Sequence, residues 1–188
     1  DSALIPALHH QITRRPGDFR LVRELVAAYE RQGNPQAAIQ YMQRLTQNAR
    51  HPALPDALLL LAELAERDGD LDLALANWER LFAQPGQLTS ARALRVAVIL
   101  LIRGRHAESL TWLERARAQA GLETEDDVEY WRLNGQLSAM LYRDEQAIDA
   151  FRRLIDADKA QPADFDALIR LLADDAPLDA ARVAAHAW

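Results

Sequence analysis

LVRELVAAYERQGNPQAAIQYMQRL, residues 21–45, reads as two helices and the joint between them. Val22, Leu25, Val26 and Tyr29 recur at i, i+3, i+4 and i+7, which gathers them into one apolar stripe along a helix of about four turns. Gly33 closes that helix, because glycine tolerates the positive φ of a helix C-terminus, and Pro35 suits the first turn of the next helix. Ala38, Met42 and Leu45 form the facing stripe of the second helix, and Pro52 ends the unit.

The same unit returns along the chain. Gly33, Gly69 and Gly104 are 36 and 35 residues apart, and a small residue stands five positions after each: Ala38, Ala74 and Ser109. A fourth copy keeps the small residue at Ala147 but has Tyr142 in place of the glycine. Its stripes are Trp131, Asn134, Gly135 and Ser138 on the first helix and Phe151 and Leu154 on the second. Thr124 and Asp127 resemble a capping box ahead of it. No stretch alternates as a strand would. A unit this short cannot bury its apolar face alone, so copies must stack. The expectation is an all-α solenoid over residues 1–188. Its full units are 19–52, 55–88, 90–123 and 128–161, with 1–16 left over from a preceding unit and 164–188 part of a fifth.

Composition supports a folded chain: 49% of residues are hydrophobic and 27% charged. No apolar run reaches the roughly 18 residues of a membrane-spanning helix. Cysteine is absent, which excludes disulfides and thiolate chemistry. The chain starts at Asp1 without a methionine and stops at Trp188 inside a helical pattern, so it reads as a piece of a longer protein. Residues 1–121 hold 15 basic and 13 acidic groups, whereas residues 122–188 hold 7 basic and 15 acidic ones. Such an end repels nucleic acid and suits a cationic partner.

Tyr29, Gly33 and Ala38, with Trp131-Arg-Leu-Asn-Gly135 and Ala147-Ile-Asp-Ala-Phe151, resemble the tetratricopeptide repeat (TPR). The resemblance departs at Asn134, Ala65, Ser138 and Ser109. It implies a right-handed superhelix whose first helices line a concave groove for a protein partner. The groove residues carried over are Arg20, Arg23, Asp56, Glu63, Leu94, Val98, Leu101, Arg132 and Gln136. The first helix of the third unit is apolar nearly all round, which points to an interaction patch or to cover by a neighbouring helix. Asp127-Val-Glu-Tyr-Trp131-Arg-Leu and Asp144-Glu-Gln-Ala-Ile-Asp-Ala-Phe151-Arg-Arg are similar to the TPR regions of bacterial outer-membrane exopolysaccharide exporters of the Pel type. That similarity implies a periplasmic scaffold recruiting a polysaccharide deacetylase or hydrolase, on the path of a cationic polysaccharide to an outer-membrane barrel. Glu123, Glu125, Asp126, Asp127 and Glu129 would face such a polymer. Rival readings are a cytoplasmic adaptor holding a peptide in its groove, and an enzyme whose catalytic part lies outside this chain.

Catalytic and metal motifs are not found. There is no glycine-rich phosphate loop, nucleophile elbow or paired-histidine zinc motif. His9 and His10 are adjacent and diverge on a helix, while His51, His106 and His186 are scattered, so exposed or capping roles are expected. Ser109 sits at the small packing position with no base nearby in sequence. Trp78 and Trp131 fall on core stripes and Trp112 does not. The sequence therefore predicts no catalytic residue, no metal and no cofactor.

Overall fold

The computed structural model describes residues 3–120, 128–173 and 176–187, and every regular element among them is helical. The expected all-α architecture holds. Two compact units divide the chain, Asp1–Gln87 and Leu88–Trp188. The first carries α1 (Leu4–Arg14), α2 (Phe19–Arg31), α3 (Pro35–Gln47), α4 (Leu54–Asp68) and α5 (Leu71–Phe82). The second carries α6 (Ser90–Ile102), α7 (His106–Ala120), α8 (Val128–Met140), α9 (Asp144–Asp156), α10 (Pro162–Leu172) and α11 (Pro177–Ala187).

Within each unit a helix packs on the one that follows it. In the first, Leu8, Val22, Leu25, Met42 and Leu61 share a core. In the second, Leu113, Trp131, Leu137, Phe151, Leu154 and Leu168 do so. Val22, Leu25, Met42, Trp131, Phe151 and Leu154 are stripe positions of the sequence pattern, and each aliphatic side chain so buried contributes about 1.5–3 kcal/mol.

The joints between paired helices share one backbone device. Gly33, Gly69, Gly104 and Tyr142 all have positive φ, with values of 69°, 86°, 71° and 55°. Around each, an amide reaches back five residues: Asn34 N–H to Tyr29, Asp70 to Ala65, Arg105 to Leu100 and Arg143 to Ser138, at N···O distances of 2.8–3.0 Å. This is the bond of a Schellman cap, which satisfies a carbonyl left open at the helix end. Asp158, at φ 56°, repeats it after α9, where Lys159 N–H donates to Leu154. Tyr142 thus takes the glycine conformation without being glycine. The next helix starts at once: Asn34 and Asp70 accept from the amides of Ala37 and Leu73 as N-caps. The Thr124–Asp127 capping box lies outside the described residues.

The small positions are all fully buried: Ala38, Ala74, Ser109 and Ala147 each have 0% exposure. Ser109 is tolerated there because its hydroxyl donates to the Ala97 carbonyl of α6. Gly135 is small for a harder reason. A Cβ on it would lie 2.8 Å from two ring carbons of Phe151, so α8 and α9 meet where no side chain fits. The polar departures on α8 satisfy one another: Ser138 Oγ donates to Asn134 Oδ1 and Asn134 Nδ2 to Tyr130 Oη, each at 3.1 Å.

Candidate functional site

The residues expected to line a groove do not behave alike. In the first unit Arg20, Arg23 and Asp56 are exposed and Glu63 is half-buried, with the Arg23 guanidinium 5.5 Å from the Phe19 ring centroid. In the second, Glu129 is exposed, Gln136 is half-buried, and Val98 and Leu101 pack partly buried against the core. Glu123, Glu125, Asp126 and Asp127 lie outside the described residues.

Two residues stand differently from their expected setting. Leu94 is only 7% exposed and belongs to the core of its unit. The helix that carries it is apolar because most of its circumference is covered: Ala93, Val96, Ala97, Ile99 and Leu100 are buried too, and of its large apolar side chains Ile102 is the one that is exposed, at 67%. Leu94→Asp would therefore test folding before it tested binding. Arg132 is engaged inside the chain. Its Nε lies 3.1 Å from Asp164 Oδ2, and its guanidinium also donates to the Lys159 carbonyl at 3.0 Å. Asp164 is 2% exposed and also accepts from the Gln161 amide. Arg132 thus ties α8 to the start of α10, through partners 27 and 32 residues away that no local spacing reveals.

Where the structure does gather polar and aromatic groups is a cleft of about 340 Å³ between α7 and α9, floored by α8. Trp131 forms the floor, edge-on to Tyr130 with ring centroids 4.9 Å apart. Two arginines reach the same indole: Arg153 from α9 at 4.4 Å and Arg117 from α7 at 5.5 Å from the ring centroid. Glu114, Glu145 and Asp149 complete the rim. Asp149 pairs with Arg153 at 3.1 Å across one exposed helical turn, a bond of about 0.3–0.5 kcal/mol. Glu114, Arg117 and Glu145 form no ion pair among the described residues. A second cavity, of about 310 Å³, lies against Trp131, Arg153, Asp156 and Ala157, so Arg153 borders both.

Such a cleft can bind; nothing in it activates a nucleophile. Ser109 commits its hydroxyl to the Ala97 carbonyl. No cluster of three or more His, Asp or Glu side chains that could hold a metal occurs among the described residues. Within that set no helix is long and apolar enough to cross a membrane. His51 caps a turn, accepting from the Ala53 amide through Nδ1. His9 is more engaged than expected: it hydrogen-bonds Tyr29 Oη at 3.0 Å and packs edge-on to Tyr41. Burial, followed by the nearby Tyr29, raises the pKa of the Tyr41 phenol. Trp78 is core, 1% exposed, with its indole N–H on Glu66 at 2.6 Å. Trp112 is half-buried beneath the Arg115 guanidinium.

A profile of the tetratricopeptide repeat matches residues 80–188, more than half the chain, and a second such profile matches residues 25–50. The chain belongs to the tetratricopeptide repeat family. TPR modules are scaffolds for protein interaction, which is the class of function the family gives it. Solved TPR proteins share its fold. YrrB, described as a TPR protein with an unusual peptide-binding site, superposes with a TM-score of 0.75 at 14% identity over 96% of this chain and 90% of its own. MamA from Desulfovibrio magneticus RS-1 does so with a TM-score of 0.68 at 20% identity, covering 89% of each chain. PilF of Pseudomonas aeruginosa gives 0.60 at 18% identity over 86% of this chain and 70% of that one. At such identities the likeness concerns the fold. No curated protein sequence matches the chain.

The cleft was not among the sequence-derived site residues. Trp131 reads as a core residue, and it is one, at 8% exposure. Its arginine neighbours come from helices 14 residues before it and 22 after it, at no helical spacing. The available signal is the order of charge on both second helices: Glu114 before Arg117, and Glu145 and Asp149 before Arg153.

Proposed function

We propose that this chain is a non-catalytic TPR scaffold within a periplasmic part of a bacterial exopolysaccharide export system of the Pel type, where it recruits a polysaccharide deacetylase or hydrolase. One observation carries the reading. The two segments whose sequence is similar to such exporters, residues 127–133 and 144–153, supply Tyr130, Trp131, Glu145, Gln146, Asp149 and Arg153, most of the Trp131 cleft. The segments that carry the resemblance are therefore the ones that build a binding surface.

The test is capture of a purified enzyme. A purified polysaccharide deacetylase or hydrolase of a Pel-type system should be retained by the immobilised chain, and the full-length protein should fractionate with the periplasm or outer membrane. A chain that retains neither enzyme, in a protein that fractionates with the cytoplasm, refutes the reading. That result would favour a cytoplasmic peptide adaptor, the reading that the likeness to peptide-binding YrrB supports.

A further inference from the structure

The Trp131 cleft has a direction. Arg117, late on α7, and Arg153, late on α9, both reach Trp131 at the start of α8, so α7 and α9 both run opposite to the α8 they pack against. Glu114 precedes Arg117 on α7, and Glu145 and Asp149 precede Arg153 on α9. The carboxylates therefore gather at the end where these helices begin, and the guanidinium groups at the end where they finish. α8 runs the other way, so its first residues, Tyr130 and Trp131, lie at the basic end, as the Arg117 and Arg153 contacts require. Asn134 lines the cleft one turn further toward the acidic end. From the helical rise, the poles are about 5 Å apart along α7 and about 12 Å apart along α9.

This polarity decides among ligands. A polycation meets Arg117 and Arg153 at one end and is repelled. A sugar ring needs an open indole face, but Arg153 covers Trp131 at 4.4 Å. A guanidinium over a ring still has N–H groups to offer a carboxylate, and of those of Arg153 the Nε–H is on Asp149. Glu114 and Glu145 line the cleft on the other side of Asn134 and make no ion pair among the described residues, so each could accept an ammonium or guanidinium.

We propose that the cleft takes one extended segment of a protein partner that carries a basic and an acidic side chain two to four residues apart, the basic one against Glu114 or Glu145 and the acidic one against Arg117 and Arg153 over Trp131. The spacing follows from the pole separation and the rise of about 3.3 Å per extended residue. The inference rests on the scaffold reading and names the chemistry of its partner. Because Asp149 releases Arg153 at little cost, the acidic side chain of the partner competes for that guanidinium directly.

The experiment pans a displayed library of random dodecapeptides on the immobilised chain, then titrates the enriched sequence as a labelled synthetic peptide. The enriched peptides should share a basic and an acidic residue two to four positions apart. Arg117→Glu and Glu145→Arg, both at exposed positions, should each weaken binding at least tenfold with unchanged circular dichroism. Reversing the order of the two charges in the peptide should weaken it on the parent chain by a similar factor. Peptides that bind both variants as well as the parent would overturn the cleft assignment while leaving the scaffold reading intact. Enrichment of uniformly acidic or uniformly basic peptides would overturn the charge pairing. If no peptide is enriched and a chitosan oligomer instead binds in a way that Glu145→Arg abolishes, the cleft is a polymer site and the inference fails. Capture of a deacetylase or hydrolase that is unaffected by either variant would separate the two readings in the same way.

Discussion

Replacing Tyr142 by glycine should make this protein more stable, although it deletes an entire aromatic side chain. Tyr142 stands at φ 55°, in the left-handed region, where an L-residue with a Cβ is strained by about 1–2 kcal/mol. Its side chain is 92% exposed, so almost no packing is lost with it. Glycine removes the strain but loosens the unfolded chain, which offsets about 0.5–1 kcal/mol. The difference is a net stabilisation of about 0.5–1 kcal/mol. In a chain of this length that raises the melting temperature by about 1–4 °C. Equilibrium urea denaturation of parent and variant, followed by circular dichroism, measures it. Gly104→Ala is the mirror control: at φ 71° with open space around its Cβ position, it should lose about 1 kcal/mol through backbone strain alone. If Gly104→Ala is destabilising as expected while Tyr142→Gly lowers the midpoint, the tyrosine ring supplies a stabilising contact and the strain argument fails at that joint.

Other outcomes follow from the packing. Gly135→Ala gains about 1 kcal/mol of helix propensity but puts a Cβ 2.8 Å from the Phe151 ring. Overpacking costs about 1–3 kcal/mol, so the variant should be the less stable, and Phe151→Leu should rescue it in a double-mutant cycle; a stabilised single variant would refute the close approach. Ala147→Leu, at a position with 0% exposure, should lose about 1–3 kcal/mol in the same denaturation assay. Arg132→Ala strands the buried Asp164 carboxylate and should cost about 3 kcal/mol; an unchanged midpoint would return Arg132 to the groove. The raised Tyr41 pKa means the folded state holds that proton longer than the unfolded one. Stability should therefore fall as pH rises past the ordinary value of 10.0, and Tyr41→Phe should remove that part of the decline.

Most of the fold was legible because it is written at local spacing. A stripe at i, i+3, i+4 and i+7, a left-handed residue at the joint and a small residue five positions later each lie within one helical pair. Even Tyr142, the apparent exception, stood at the position whose backbone geometry it shares. What the sequence hid was everything settled between pairs. Leu94 looked like part of an open face because the pattern does not show which sides of α6 are covered. Arg132 looked free because Asp164 and Lys159 lie a whole repeat away. The cleft was invisible for the same reason: its indole and its two arginines come from three different helices.

The missing methyl group at Gly135 reaches beyond packing. It lets α8 and α9 close to the distance at which Phe151 fills the gap, and those two helices carry Trp131 and Arg153. The seating of α9, and with it of Arg153 over Trp131, therefore depends on a position outside the cleft lining. A lineage could retune what this surface admits by a single substitution at that glycine, leaving every residue that lines the cleft as it is.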